Sequence, residues 1–335
     1  MTAGHRRQSD PRGAFTTTSM NAPEYDLLII GGGVSGTALL YQTARFTDIG
    51  NIALLEKYAA PARVNSLSSN NSQTLHCGDI ETNYTLDKAL KVQRAARMLS
   101  NYCLGQPDRD HLIYQYPKMV LGVGDRECRL LRARHEQLKT HYPKLRLLEK
   151  KDIARIEPAV VTGRDGRLRA DEIVALGSAS EYCAVNFEAL ARSFVRQAQA
   201  AQGKRIDIRY NETVQHITVR EGRFLVETQD TCYQSRTLVV CAGGHSLKLA
   251  QDLGYGLHYS CLPVAGSYYF TPHTLNGKVY TVDTANPWAQ AIAISGDQAS
   301  ARKWWTGELS RIAKEVYSIE IREGLGEQAR GLLRD

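Results

Sequence analysis

Three glycines carry the clearest chemistry in this 335-residue sequence. Gly31, Gly33 and Gly36 complete the pattern G-x-G-x-x-G, which binds a dinucleotide when a strand precedes it and a helix follows. In that setting Gly31 allows a tight turn, Gly33 lets the backbone approach a pyrophosphate, and Gly36 lets helix and strand pack closely. Val34 and Ser35 would open the helix, so their N–H groups meet the anion at the positive end of the helix dipole. Glu56 stands twenty residues beyond Gly36, where an acidic side chain accepts hydrogen bonds from a ribose diol. A glycine-rich turn of no function has the same spacing, so the surrounding elements must decide.

Those elements have the required order. Tyr25 to Ile30 is a short apolar run ending in glycines, as expected of a strand buried on both faces. A helix over 34–45 and a second strand over 51–56 complete a βαβ unit, with a right-handed crossover and parallel strands. A Ser- and Asn-rich stretch, 63–72, then exceeds the length of a simple connection, and long polar loops of this kind often hold function. Helical periodicity recurs at 85–101, 126–140 and 186–201, with strand-like runs at 115–123 and 175–185. From Ile206 the rhythm shortens to runs at 206–210, 214–219 and 224–228, with Glu221-Gly222 as a turn signal, and these read as a small meander. It feeds a buried strand over 237–244 and a helix from Ser246, with two further strands at 261–271 and 278–283. The expected fold class is therefore α/β, a doubly wound, Rossmann-like nucleotide domain with an inserted mixed α/β unit. The expected division is 25–84 with 202–256 for the nucleotide domain and 85–201 with 257–287 for the insert. Residues 1–24 read as a flexible leader, or as the result of a start upstream of Met20, and 288–335 as an atypical C-terminal segment.

Composition narrows the function classes. With 43% hydrophobic and 23% charged residues, the chain matches globular proteins and not disordered or collagenous ones. The net charge of +7 is spread without a basic block or an aromatic-basic stripe, which argues against nucleic acid. It does favour weak attraction to an anionic membrane surface or to small acidic substrates. Seven cysteines with no metal-type spacing indicate neither a disulfide framework nor a metal site, and read as reduced thiols of a cytoplasmic protein. No apolar run approaches 18 residues, so no membrane-spanning helix is expected.

FAD and NAD both suit the glycine fingerprint. The long insertion, followed by a meander and the strand ending at Cys241-Ala-Gly-Gly244, resembles the FAD-binding fold of the D-amino-acid oxidase and glycine oxidase superfamily. Asn65-Ser66 followed by His76 and Gly78 resembles the flavin-facing loop of flavoproteins that oxidise 2-hydroxy acids, L-2-hydroxyglutarate dehydrogenase among them. The fuller strings resemble the malate:quinone oxidoreductase family most: Ile52-Ala-Leu-Leu-Glu-Lys57, His76-Cys-Gly-Asp-Ile-Glu-Thr-Asn-Tyr-Thr85, Glu181-Tyr-Cys-Ala-Val-Asn-Phe187, Val240-Cys-Ala-Gly-Gly-His-Ser246, Pro263-Val-Ala-Gly-Ser-Tyr-Tyr-Phe270 and Asn276-Gly-Lys-Val-Tyr280. The resemblance runs from about 25 to 287.

The resemblance implies an FAD enzyme that oxidises (S)-malate, a small dicarboxylate 2-hydroxy acid, to oxaloacetate. A quinone would take the electrons, with the protein peripheral on the inner face of the cytoplasmic membrane. Lys57 joins Glu56 as an implied cofactor contact, Val214 falls where the family holds the adenine through backbone groups, and Ala242, Gly243 and Gly244 close the site. Asn71 and Ser72 are candidates for contacts to flavin heteroatoms, with ordinary turn chemistry as the alternative. His76 is the candidate general base because its loop should lie near the flavin ring and imidazole titrates near neutrality. It could equally hydrogen-bond the flavin or its own loop. His245 reads as a helix N-terminal residue near the adenine half, and the spacing of Cys77 beside His76 does not demand a reactive thiolate.

After Pro287 the family pattern fades. Trp305, Leu309, Ile312, Ala313 and Val316 fall on one helical face, read as a core-facing stripe or a membrane-touching one. Gly324-Leu-Gly326 could imitate the family's returning C-terminal segment in compressed form, though a truncated or frame-altered end suits the sequence better. Three alternatives follow: an L-2-hydroxyglutarate type dehydrogenase, a catalytically silent relative, and a nicotinamide dehydrogenase resting on the first βαβ unit alone.

Overall fold

The computed structural model describes residues 22–163, 165–261 and 275–282. In chain order the elements are β1 (Glu24–Ile30), α1 (Val34–Phe46), β2 (Asn51–Glu56), α2 (Leu86–Leu104), β3 (Ile113–Gln115), β4 (Lys118–Val123), α3 (Gly124–Leu138), β5 (Arg146–Glu149) and α4 (Lys150–Ile156). They continue with β6 (Ile173–Ser178), β7 (Tyr182–Val185), α5 (Phe187–Gln199), β8 (Arg205–Tyr210), β9 (His216–Arg220), β10 (Arg223–Glu227), β11 (Cys232–Val240), α6 (Ser246–Asp252) and β12 (Lys278–Thr281). The strand expected at 261–271 lies, but for Cys261, outside the described residues, as do residues 1–21 and everything beyond 282.

The larger sheet has the order β8-β2-β1-β11-β10-β9. β8, β2, β1 and β11 run parallel, and β10 and β9 extend the sheet antiparallel. Successive strand residues point to opposite faces, so β1 and β2 feed two cores. Leu28, Ile30, Ala53 and Leu55 enter one, and Leu27, Ile29, Ile52 and Leu54 the other. This explains why the two runs read as continuously apolar.

One expectation is corrected here. The run at 206–210 is not part of the meander: β8 pairs parallel with β2 at the opposite edge of the sheet. Alternation alone cannot tell an antiparallel strand from a parallel edge strand. Asn211, at φ 61°, turns the chain away after β8, while Glu221 and Gly222, at φ 51° and 74°, form the tight hairpin between β9 and β10, as left-handed turn positions favour. The meander is therefore β9-β10-β11.

α5 packs along α1, although it falls within the span expected for the insert. Tyr41 of α1, Tyr102 of α2 and Phe194 of α5 form one aromatic group, with ring centroids 4.7, 5.0 and 5.3 Å apart, close enough to add to simple burial. Thr85 and Asn186 cap α2 and α5 by accepting from Lys88 and Ala189 N–H at 3.2 and 3.0 Å, as short polar side chains do at helix starts.

The second sheet, β12-β4-β6-β5, has α3 over one face and α4 against the other. The run at 175–185 splits because β6 joins this sheet whereas β7 pairs with β3. β12 lies parallel to β4 and is fixed by Glu157, a fully buried carboxylate. It accepts from Asn276 N–H at 2.8 Å and from Gly277 N–H at 2.9 Å. Replacing Glu157 with Ala removes the acceptor of these partly buried N–H groups, and hydrogen bonds to a charged acceptor are among the stronger ones. We expect Glu157→Ala to lower unfolding free energy by about 2–4 kcal/mol, measured by urea denaturation, with Glu157→Gln recovering part of the loss.

Candidate functional site

At the carboxyl ends of β1 and β11 the backbone closes on itself. Gly31 takes φ 107°, and a Cβ there would stand 2.4 Å from the carbonyl oxygen of Cys241. A Cβ at Gly36 would stand 1.9 Å from the carbonyl oxygen of Gly31. Cys241 N–H donates to Ile30 O at 2.7 Å and Gly31 N–H to Leu55 O at 2.8 Å. The first turn of α1 therefore opens directly from the strand, with Gly33 at its N-cap and no acidic side chain in the first turn. Val34 N–H donates to Ser66 Oγ at 3.0 Å, and Val34 and Ser35 begin the helix as expected.

Glu56 ends β2 and is 8% exposed. Its Oε2 accepts from Gly32 N–H at 2.6 Å and its Oε1 from Tyr58 N–H at 3.0 Å, which fixes the carboxylate against the glycine loop. A carboxylate has about four acceptor positions, so lone pairs remain for a diol. Lys57 is exposed, with Nζ 4.9 Å from the Tyr58 ring centroid. Asn211 N–H and Glu212 N–H donate to Tyr58 O and Glu56 O at 3.1 and 3.0 Å. These bonds bring the segment carrying Val214 alongside Glu56, and Val214 packs on the Tyr25–Leu28 core. Ala242 packs on the same core. Gly243 takes φ 59° and faces the Asn65 amide, and Gly244 is open. His245 is the N-cap of α6. The cradle fits a dinucleotide: two glycines whose side-chain space is filled by backbone, a helix N-terminus at the turn, and an acid at the end of β2.

The polar loop seats itself differently. Asn71 Nδ2 donates to Asn65 O and Leu67 O at 2.9 and 3.0 Å, and its Oδ1 accepts from Gln73 N–H and Nε2 at 2.8 and 2.6 Å. All its side-chain hydrogen-bonding positions are used within the loop, which is the turn chemistry given as the alternative. Ser72 is exposed, and its carbonyl accepts from Lys278 Nζ at 2.8 Å. Ser66, which had no individual role from sequence, is the loop residue that reaches the helix N-terminus.

Beyond the loop, Thr74 bridges to Ala184 and Leu75 N–H donates to Cys183 O at 2.9 Å, so the segment is strand-like. Leu75 and Cys77 enter the core with α2 and α5, while Thr74 and His76 lie on the other side. His76 Nδ1 pairs with Glu81 Oε1 at 2.7 Å; the imidazole is 53% exposed and the carboxylate 12%. Burial alone would raise the Glu81 carboxyl, but the hydrogen bond and charge of His76 outweigh it and hold the group below its usual range. Burial pushes the Cys77 thiol up to about 12, so it stays protonated and is no nucleophile.

Behind this segment Lys118 and Asp79 form an ion pair at 2.7 Å, 2% and 1% exposed, with Glu181 at 3.5 Å from the ammonium. Burial opposes the charge of Lys118, yet Asp79 keeps it protonated above the usual lysine range. Lys118, Glu81, Thr74, Lys278 and Tyr280 line one small cavity. The pairing of Asp79 with Lys118 spans 39 residues and left no short-range pattern to read. Among the described residues, no group of three or more His, Cys, Asp or Glu side chains is arranged to hold a metal, and no helix is long and apolar enough to cross a membrane.

Solved structures share this architecture. The glycine oxidase of Geobacillus kaustophilus aligns with TM-score 0.54 and 19% identity over 69% of this chain and 59% of its own. L-proline dehydrogenase of P. horikoshii aligns with TM-score 0.57 and 14% identity over 78% and 65%. An FAD-bound L-α-glycerophosphate oxidase of Mycoplasma pneumoniae aligns with TM-score 0.51 and 21% identity over 68% and 56%. Sheet order and cradle thus define the Rossmann-like fold class of FAD-binding oxidases. More specifically, residues 23–287 match the model of the malate:quinone oxidoreductase family, and the chain belongs to that family.

Relatives agree. A probable malate:quinone oxidoreductase of Campylobacter jejuni subsp. jejuni serotype O:2 is 43% identical over 83% of this chain and 62% of its own length. A malate:quinone oxidoreductase of Helicobacter pylori strain 26695 is 38% identical over 82% and 60%. The chain therefore spans about three fifths of the length of these curated relatives.

Because the Cβ of an alanine at position 36 would meet backbone, which cannot rotate away, Gly36→Ala must part α1 from β1. We expect a loss of about 1–3 kcal/mol in stability and loss of dinucleotide binding, measured by thermal melting and equilibrium dialysis. Gly244→Ala, at an open position, should melt like the wild type.

Proposed function

We propose that this chain carries the FAD- and substrate-binding portion of an enzyme oxidising (S)-malate to oxaloacetate with a quinone as acceptor. The observation that carries the reading is the glycine cradle with Glu56 beside it, in a chain of the malate:quinone oxidoreductase family. The FAD-bound oxidase of the same fold supports FAD over NAD. Gly31, Gly33 and Gly36 would admit the pyrophosphate to the N–H group of Ser35, and to that of Val34 in place of Ser66 Oγ. Glu56 would hold the adenosine ribose, with the Val214 segment and the turn at 242–244 around it.

Bound FAD supplies the two-electron acceptor for the hydrogen on the hydroxyl-bearing carbon. The chain's own task is the hydroxyl proton. With Glu81 accepting from Nδ1–H, His76 keeps a lone pair on Nε2, and that atom is the proton acceptor. Glu81 is a positioning residue: it fixes the tautomer and steadies the imidazolium that forms. Peripheral attachment to a membrane surface is supported by the net charge of +7.

The test is the visible spectrum of the purified chain before and after anaerobic (S)-malate. Flavin bands that bleach with malate support the reading. Bands that bleach only with 2-hydroxyglutarate move the substrate to that acid, and a chain that stays colourless in added FAD overturns it. In a chain that bleaches, His76→Gln should slow flavin reduction by about 100-fold or more with flavin content unchanged, read by stopped-flow absorbance.

A further inference from the structure

Two lysines occupy register positions opposite each other on neighbouring strands. Lys278 of β12 is paired with Lys118 of β4, and residues opposite one another in a ladder project from the same face, where like charges repel. The two ammonium groups have unequal partners. Lys118 is matched by Asp79 and Glu181. Lys278 donates only to neutral oxygens, Ser72 O at 2.8 Å and Thr74 Oγ at 2.9 Å, and among the described residues it has no carboxylate within ion-pair distance. The other charges nearby are already answered: Asp79 by Lys118, and Glu81 by His76.

Lys278 is half-buried, and that burial lowers the affinity of its ammonium for the proton below the usual lysine value. A partly desolvated cation without a counter-ion is costly to hold and is a ready receptor for an anion. Two hydroxyls share the spot: Tyr280 OH lies 2.9 Å from Thr74 Oγ, which itself touches Lys278 Nζ. Thr74 is also two residues from His76 on the outward side of the same strand-like segment, a spacing of about 7 Å.

We infer that Lys278, aided by the hydroxyls of Thr74 and Tyr280, anchors a carboxylate of the substrate while its hydroxyl faces His76. The inference rests on the malate reading and gives that site the cation a dicarboxylate requires. An ammonium–carboxylate hydrogen bond in such a setting contributes about 1.5–3 kcal/mol, or about 10- to 150-fold in affinity.

The experiment compares binding of (S)-malate and of its uncharged dimethyl ester to the FAD-supplemented 335-residue chain, by calorimetry, in wild type, Lys278→Met and Lys278→Arg. Wild type should prefer malate over the ester. Lys278→Met should lose about 10- to 100-fold in malate affinity and most of that preference, and Lys278→Arg should retain both. A purely structural role for Lys278 would not move the ratio of acid to ester. Equal malate binding by wild type and Lys278→Met overturns the anchor and leaves the malate reading standing. Absence of malate binding in wild type overturns both, and flavin absorbance of the same sample then reports on the dinucleotide cradle alone.

Discussion

No side chain can stand between the start of α1, the end of β1 and the turn after β11. Added Cβ atoms at Gly31 and Gly36 would lie within 2.4 Å of backbone oxygens, a separation that atoms in van der Waals contact never reach. The close approach aligns three elements at the carboxyl ends of the central strands, and the rest of the site is arranged from there. β2 enters beside β1 and delivers Glu56 to the glycine loop. Bonds from Asn211 and Glu212 to the residues at the end of β2 then carry the return segment past the same strand ends. Side chains that could bind a nucleotide are thus placed by backbone geometry they do not themselves create.

A second constraint is electrostatic. The Lys118–Asp79 pair is almost wholly removed from water, where neither charge is tolerable alone. It ties β4 to the loop carrying His76. Tyr142 reinforces the loop by donating to Cys77 O and Ala89 O. The histidine loop is held from behind by buried polar contacts and from the side by Glu81. It leaves the imidazole half in solvent on a base that is otherwise rigid.

Much of this was legible in the residues. The strand–glycine–helix order, Glu56, the helices at 86–104 and 187–199, and the hairpin at Glu221-Gly222 follow from period, composition and turn chemistry, which are local. What escaped was non-local. The parallel edge position of β8 depends on Ile206 and Ile208 packing beyond β2, and no short window reveals which neighbour an alternating strand will take. Asn71 has the right groups for a ligand, but its own loop uses them first. The facing lysines at 118 and 278 are 160 residues apart, and only the sheet makes them neighbours.

The sheet order also sets a schedule for synthesis. β1 and β2 are among the first elements made, but the other neighbour of β1 is β11, the last strand of the meander, and the glycine turn has its seat at Cys241, 210 residues after Gly31. At about 5–20 residues per second on a ribosome, the nascent chain carries β1 with one edge of backbone N–H and C=O groups unpaired for about 10–40 s. An edge of this kind is a template for pairing with other chains. The central strand of the mature cradle is therefore, during translation, an edge open to pairing with other chains until β11 is made.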